Sequence, residues 1–234
     1  MEVEVGVLRI EPELSEIESS RGAALRVAEI KLGGVPRGAV VVLCEAGGLE
    51  HDAPEVLNRL AEHGYESLAA DLSSAGPAVT ARDDELLRDV AILLGRLAGR
   101  GWSPEQIGLV GYGLGGRVAL LVAAEFELGA AVSVAPAGLR TPAGPLGTPW
   151  LGLFGDLDEN LPAQAVRRLG EKLDSGSPVH TEVVGYPGVG EGFHRASPEV
   201  LAHAAEFESW QRTVEWLNLR VAPRPSPSTE TWRV

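Results

Sequence analysis

From residue 39 to residue 218 the chain alternates short apolar, often β-branched runs with longer segments whose apolar residues recur at helical spacing, and this alternation restricts its fold more than any other feature. Runs at 39–43, 66–70, 107–110, 131–134, 150–154 and 181–185 read as strands; 54–63, 83–98, 114–126, 163–173 and a last segment near 198–218 read as helices. The helix at 83–98 carries Leu86, Val90, Leu93 and Leu97 on one stripe. The run Ala39-Val40-Val41-Val42-Leu43 has no polar interruption, which suits a strand covered on both faces of a sheet. Strands separated by helices pair in parallel, so the expected class is α/β: a mostly parallel, doubly wound sheet with helices on both faces. Two earlier segments, 3–10 and 24–31, alternate apolar with polar residues instead and read as antiparallel edge strands. The Pro-, Gly- and Ala-rich stretch 135–148 reads as a loop.

With 234 residues, 44% of them hydrophobic, the chain can bury the core of one α/β domain, expected over residues 1–220 with a flexible tail at 221–234. Its formal net charge of −13 argues against a grip on nucleic acid or an anionic membrane surface. No apolar run approaches the roughly 20 residues that cross a bilayer, and the acidic N-terminus lacks the pattern of a signal peptide. Cys44 is the only cysteine, so there is neither an intrachain disulfide nor a Cys-based zinc site, and a reducing cytoplasm fits. A small molecule is the partner expected.

In an open α/β sheet, ligands sit outside the carboxyl ends of the strands, so residues just after each strand carry the most information. After 107–110 comes Gly111-Tyr112-Gly113-Leu114-Gly115-Gly116, followed at once by an apolar helix, the context of a strand–turn–helix nucleophile elbow. The segment resembles the G-Y-C-L-G-G elbow of the dienelactone hydrolase family of α/β-hydrolases, whose middle residue is an attacking cysteine or serine. Here that position is Gly113, which has no side chain to form an acyl intermediate, so the nucleophile position is vacant. The flanking glycines still permit close strand–helix packing. A dinucleotide fingerprint, G-x-G-x-x-G, also fits the letters, but four strands precede it where such a motif follows the first strand of its unit.

Three further positions match the same family. Asp158, in Leu153-Phe154-Gly155-Asp156-Leu157-Asp158, stands where the resemblance implies the catalytic aspartate. Tyr186-Pro187-Gly188-Val189-Gly190-Glu191-Gly192-Phe193 resembles the run carrying the general-base histidine, with Glu191 in its slot. Glu45, directly after 39–44, matches the strand-end glutamate beside the nucleophile. By the same resemblance the amides of Ala46 and Leu114 form an oxyanion hole, which needs no particular side chain. His194, three residues beyond Glu191, is an alternative base. The likeness runs from about 37 to 218 and includes Asp71-Leu72.

On this map Glu45, Asp158 and Glu191 converge as the catalytic group, and carboxylates a few ångströms apart raise one another's pKa, providing an acid and a base. Three functions follow: non-hydrolytic proton transfer such as isomerisation, cyclisation or elimination; a non-catalytic binding protein; or ester and lactone hydrolysis by carboxylate-activated water. No cofactor is implied. A divalent metal bridging the three acids is chemically feasible, but the family resemblance implies none, so the expectation is no metal. Cys44 is a poor substitute nucleophile, since strand alternation turns it away from Glu45. Trp102, Trp150 and Tyr112 are candidates to line the pocket.

Overall fold

The computed structural model describes residues 9–76, 81–139, 141–195 and 197–224. Eight strands form one sheet: β1 (Glu13–Glu18), β2 (Ala24–Ile30), β3 (Gly38–Leu43), β4 (Tyr65–Ala70), β5 (Ile107–Tyr112), β6 (Ala130–Val134), β7 (Trp150–Gly155) and β8 (Thr181–Tyr186). Among the described residues six α-helices accompany them: α1 (Gly48–His51), α2 (Ala53–Glu62), α3 (Asp83–Ala98), α4 (Leu114–Glu125), α5 (Ala163–Gly176) and α6 (Val200–Arg220). The spatial order is β1-β2-β4-β3-β5-β6-β7-β8, parallel from β4 to β8 and antiparallel at β1 and β2. This is the mostly parallel, doubly wound sheet that the alternation predicts.

The two faces are filled by different helices. Val40, Val42, Val110 and Val132 meet Leu57 and Leu60 of α2 and Val214 and Leu217 of α6. On the opposite face Ala39, Val41, Leu43 and Leu109 meet Leu86, Val90 and Leu93 of α3 and Val118 and Val122 of α4. The unbroken β-branched run in β3 is therefore explained by burial on both sides. Trp150 and Phe154 form a third cluster with Val166, Leu169 and Leu173 of α5.

Strand order decides where a ligand can sit. The chain steps from β3 outward to β4, then passes back across β3 to lay β5 on its other side, so winding reverses between β3 and β5. The crevice at the carboxyl ends of strands about such a reversal is the standard ligand position in open sheets. The register pairs Leu43 with Gly111, which brings the segments after β3 and β5 side by side.

The sequence reading needs correction at both ends. Among the described residues the edge strand is β1, at 13–18; of the strand expected at 3–10, residues 3–8 lie outside the described residues, and Ile10 is held by Asn58, which bonds its amide and carbonyl at 2.7 and 2.9 Å. β2 lies one strand in from the edge, between β1 and β4. Residues 221–224 belong to the body and not to a loose tail: Val221 is buried, the Ala222 amide donates to the Glu105 carbonyl, and the Arg224 guanidinium stacks 3.9 Å from the Trp102 ring. Residues 225–234 lie outside the described residues.

Candidate active site

The elbow keeps its backbone shape. A Cβ at Gly111 would collide with the Gly115 carbonyl, and one at Gly115 with the Leu43 carbonyl, so strand β5, helix α4 and strand β3 meet through bare backbone. Gly113, between strand and helix, has φ 52° and ψ −115°, a region that L side chains rarely adopt. Its amide donates to the Val134 carbonyl at 3.1 Å and its own carbonyl accepts from Ala137 at 2.8 Å. The twist is thus fixed by neighbouring loops, not by a side chain at the turn.

What occupies the nucleophile's space is the carboxylate of Glu45. A Cβ built on Gly113 would strike Glu45 Oε1 and lie only 2.9 Å from its Cγ and 3.0 Å from its Cδ. The other oxygen, Oε2, is paired with Arg195 Nη2. His194 Nε2 lies 3.9 Å from Glu45 Oε1, and its ring packs 5.3 Å from that of Tyr112. Glu45, His194 and Arg195 therefore form one cluster over Gly113. Arg195 is the most open of the three, with 60% of its side chain accessible against 9% for His194.

His194 is the electrostatically unusual member. Its Nδ1 is buried without a normal hydrogen bond. Burial pushes the imidazole below its ordinary pKa; Glu45 pulls upward, and Arg195 again downward. The side chain is thus neutral at pH 7 and able to accept a proton. The Ala46 and Leu114 amides, proposed from sequence as the oxyanion hole, meet no acceptor among the described residues. Beside them Gly47 bonds Asp71 Oδ2 at 3.0 Å, which fixes the loop after β3.

The expected convergence of three acids is not what the geometry presents. Glu191 is exposed and does not border the cavity that Glu45 lines. Asp158 is buried, but its Oδ1 accepts from the Asn160 amide at 2.8 Å and holds its own turn, and it too is absent from that cavity wall. Among the described residues no group of three or more His, Cys, Asp or Glu side chains is arranged to hold a metal ion. The reason lies in the turn after Gly190: Phe193 is drawn into the core against Tyr186, at 5.1 Å, so Glu191 faces solvent and His194 faces the cavity.

Of the aromatic candidates, Tyr112 lines the cavity, whereas Trp150 is fully buried with its Nε1 donating to Ser133 Oγ at 2.8 Å and Trp102 lies in the α3 cluster. Cys44 borders the cavity, but burial raises its thiol pKa far above neutrality, so it is no nucleophile. The cavity, about 590 Å³, extends from this cluster along the sheet between α2 and α6. Arg195 was missed from sequence, although it is the one cation among glycines and acids in this loop. Arg59, Glu206 and Trp210, also in the wall, come from α2 and α6 and have no motif to mark them.

Comparison with known proteins agrees with the fold. The model for the "Dienelactone hydrolase family" matches residues 27–220. The "Putative carboxymethylenebutenolidase" of Escherichia coli O157:H7 is 28% identical over 209 residues, covering 77% of this chain and 76% of the relative. A crystal structure titled "Putative Dienelactone Hydrolase", from Klebsiella pneumoniae, superposes with TM-score 0.72 at 24% identity, over 88% of this chain and 98% of that one. The Pyrococcus furiosus esterase Pf2001 superposes with TM-score 0.69 at 20% identity, over 91% and 94%. The fold is the α/β-hydrolase fold. Among the described residues no helix is long and apolar enough to cross a membrane.

Proposed function

This chain belongs to the dienelactone hydrolase family, and from that premise we propose that it is a member turned from acyl transfer to proton transfer on a small carbonyl compound or organic anion. The observation that carries the reading is the largely shielded His194, whose Nε2 faces Glu45 over a glycine that has no nucleophile to offer. A base in that position takes a proton from the carbon next to the substrate carbonyl. The C–H electron pair forms a C=C bond, and the carbonyl π pair moves to oxygen, where the Ala46 and Leu114 amides receive the charge. The imidazolium so formed is stabilised by Glu45. In a substrate with a β,γ double bond the resulting dienolate regains the proton at its γ carbon as the C–O π bond re-forms, which yields the conjugated isomer with nothing gained or lost overall. Asp158 serves by shaping its turn, and Glu191 adds only its charge to the surroundings of Arg195.

A second reading, binding without turnover, is favoured by one specific feature: the Glu45 carboxylate, tied to Arg195, already fills the space beside Gly113. Butenolidase activity of the kind named for the relatives would here require water in place of the missing nucleophile.

The deciding experiment incubates pooled small carbonyl acids and unsaturated lactones with the protein in D₂O and follows loss of α-proton signals by NMR. Exchange that disappears in His194→Gln and persists in Glu191→Gln is expected. No exchange in the wild type leaves the binding reading. Burst release of p-nitrophenol from p-nitrophenyl acetate by the wild type would overturn the exclusion of acyl transfer.

A further inference from the structure

The cavity is larger than the reaction cluster needs. A cavity of about 150 Å³ holds one benzene; this one, at about 590 Å³, is several times that. Its floor is the sheet, at Val42 and Val134, and its side walls are α2, with Ala53 and Val56, and α6, with Trp210 and Thr213. Glu45, His194 and Arg195 occupy one end. The part between the helices has no counterpart in the proton-transfer chemistry above.

The walls of that inner compartment carry charged and polar groups beside the apolar ones. Arg59 of α2 reaches across to Glu206 of α6, Nη1 to Oε1 at 2.8 Å, while its guanidinium lies 4.1 Å from the centre of the Trp210 ring. Both charged side chains are largely shielded, 26% and 20% exposed. A shielded ion pair is weak evidence for stability, since apolar residues of like volume usually serve as well. Tyr112 adds an independent observation. Its phenol lines the cavity, sits within the fields of Arg59, Glu206 and Asp52, and forms no hydrogen bond with a described residue. Burial raises its pKa, so it remains a neutral O–H donor throughout the physiological range.

We propose that the compartment between α2 and α6 is a distal binding subsite, which selects ligands with an extended, ring-containing apolar body that ends in a hydrogen-bond-accepting oxygen. The head of such a ligand, a carboxylate or carbonyl, meets Arg195 and the Ala46 and Leu114 amides, the body lies over Val42 and Val134, and the terminal oxygen accepts from Tyr112. This subsite rests on the reading of the outer cluster as the head-group site. It adds that ligand length, not the head alone, decides what binds.

The test uses three probes: benzoate, 2-naphthoate and 6-hydroxy-2-naphthoate, titrated calorimetrically into the full chain. Affinity is expected to rise in that order, with the hydroxyl worth roughly 3–10-fold, the value of one net hydrogen bond. Tyr112→Phe removes a single oxygen and should erase the advantage of the hydroxylated acid while leaving 2-naphthoate unchanged. Val56→Trp fills the compartment and should weaken both naphthoates at least tenfold with benzoate as the internal control; if it does not fold, Tyr112→Phe still decides. Equal affinity for benzoate and the naphthoates, or a hydroxyl advantage that survives Tyr112→Phe, overturns the subsite while leaving the head-group site standing. Binding of the naphthoates that Arg195→Ala does not weaken, or no binding of any acid, overturns the subsite and the head-group reading together.

Discussion

The elbow after β5 and the loop after β8 face one another over the same cavity but are built by opposite means. At the elbow the contacts are backbone on backbone: Gly111 against Gly115, Gly115 against Leu43, with no side chain able to intrude. In the loop, past the backbone contact of Val189 and Gly190 with Gly155, the path is set by one buried aromatic, Phe193, and open space surrounds Gly192. The first design keeps its shape when its reactive residue is lost. The second lets the side chains on either side of its anchor exchange roles, which is how the family's histidine slot comes to face solvent while His194 faces the cavity. On the proposed reading, loss of a nucleophile and relocation of a base are therefore different kinds of change on one scaffold.

The contrast breaks first under small additions of volume. Gly115→Ala places a methyl group against the Leu43 carbonyl, and since backbone cannot rotate away, α4 must separate from β3. A cost of about 4 kcal/mol, at the exceptional end for one substitution, is expected in denaturant unfolding. The same substitution at Gly192, which has an ordinary φ and no atom within 4 Å, should stay within about 0.5 kcal/mol. Comparable losses in both would erase the distinction drawn between the two regions.

Function should divide along the loop. Removing a general base costs about 10²- to 10⁴-fold in rate. His194→Gln is expected to lose that much of the α-proton exchange, whereas Glu191→Gln should remain within about twofold of wild type. A large loss in Glu191→Gln, with His194→Gln active, would return the base role to the position that sequence register alone suggested.

The sequence reading succeeds where backbone dictates the answer. Strand–helix alternation, the both-sided burial of β3 and the glycines of the elbow are properties of short segments, and each has a steric or burial cause that the residues themselves display. Register in the loop after β8 also reads correctly as letters, yet it places the wrong side chain in the cavity. Orientation there depends on Phe193 packing against Tyr186, a contact that local pattern does not encode. Asp158 fails for a related reason: a carboxylate at a strand end can either serve the site or hold its own turn, and the Asn160 amide takes it. Arg59, Glu206 and Trp210 meet only because α2 and α6 pack side by side on the sheet, nearly 150 residues apart in the chain.

A middle-sized effect probes the vacancy itself. Gly113→Ser adds a side chain at φ 52° and drives it into Glu45, so a loss of about 1–3 kcal/mol is expected from strain at the turn and crowding together. Shortening Glu45 in the double variant Gly113→Ser/Glu45→Ala should recover part of that loss, giving a coupling energy of about 1 kcal/mol in a double-mutant cycle. Strict additivity would mean that Glu45 does not hold the nucleophile's space.

The smallest effect is one of pH. The folded state holds the His194 pKa below its ordinary 6.5, with burial the main cause and Glu45 opposing it. On lowering pH the unfolded chain therefore takes up this proton first, near pH 6.5, and the native state only at its own lower value. The stability contributed by a neutral His194 is fully present above about pH 6.5, declines as pH falls toward the folded pKa, and is constant beneath it. Wild type minus His194→Gln, measured by urea unfolding from pH 5 to 8, should show that slope, with wild type losing ground on the acid side. Because Arg195 depresses and Glu45 raises this pKa, the imidazole resonance should titrate at higher pH in Arg195→Met and at lower pH in Glu45→Gln. A titration that neither variant moves would separate His194 from the cluster over Gly113, and the relocated base would then be a buried ring with no tie to the site.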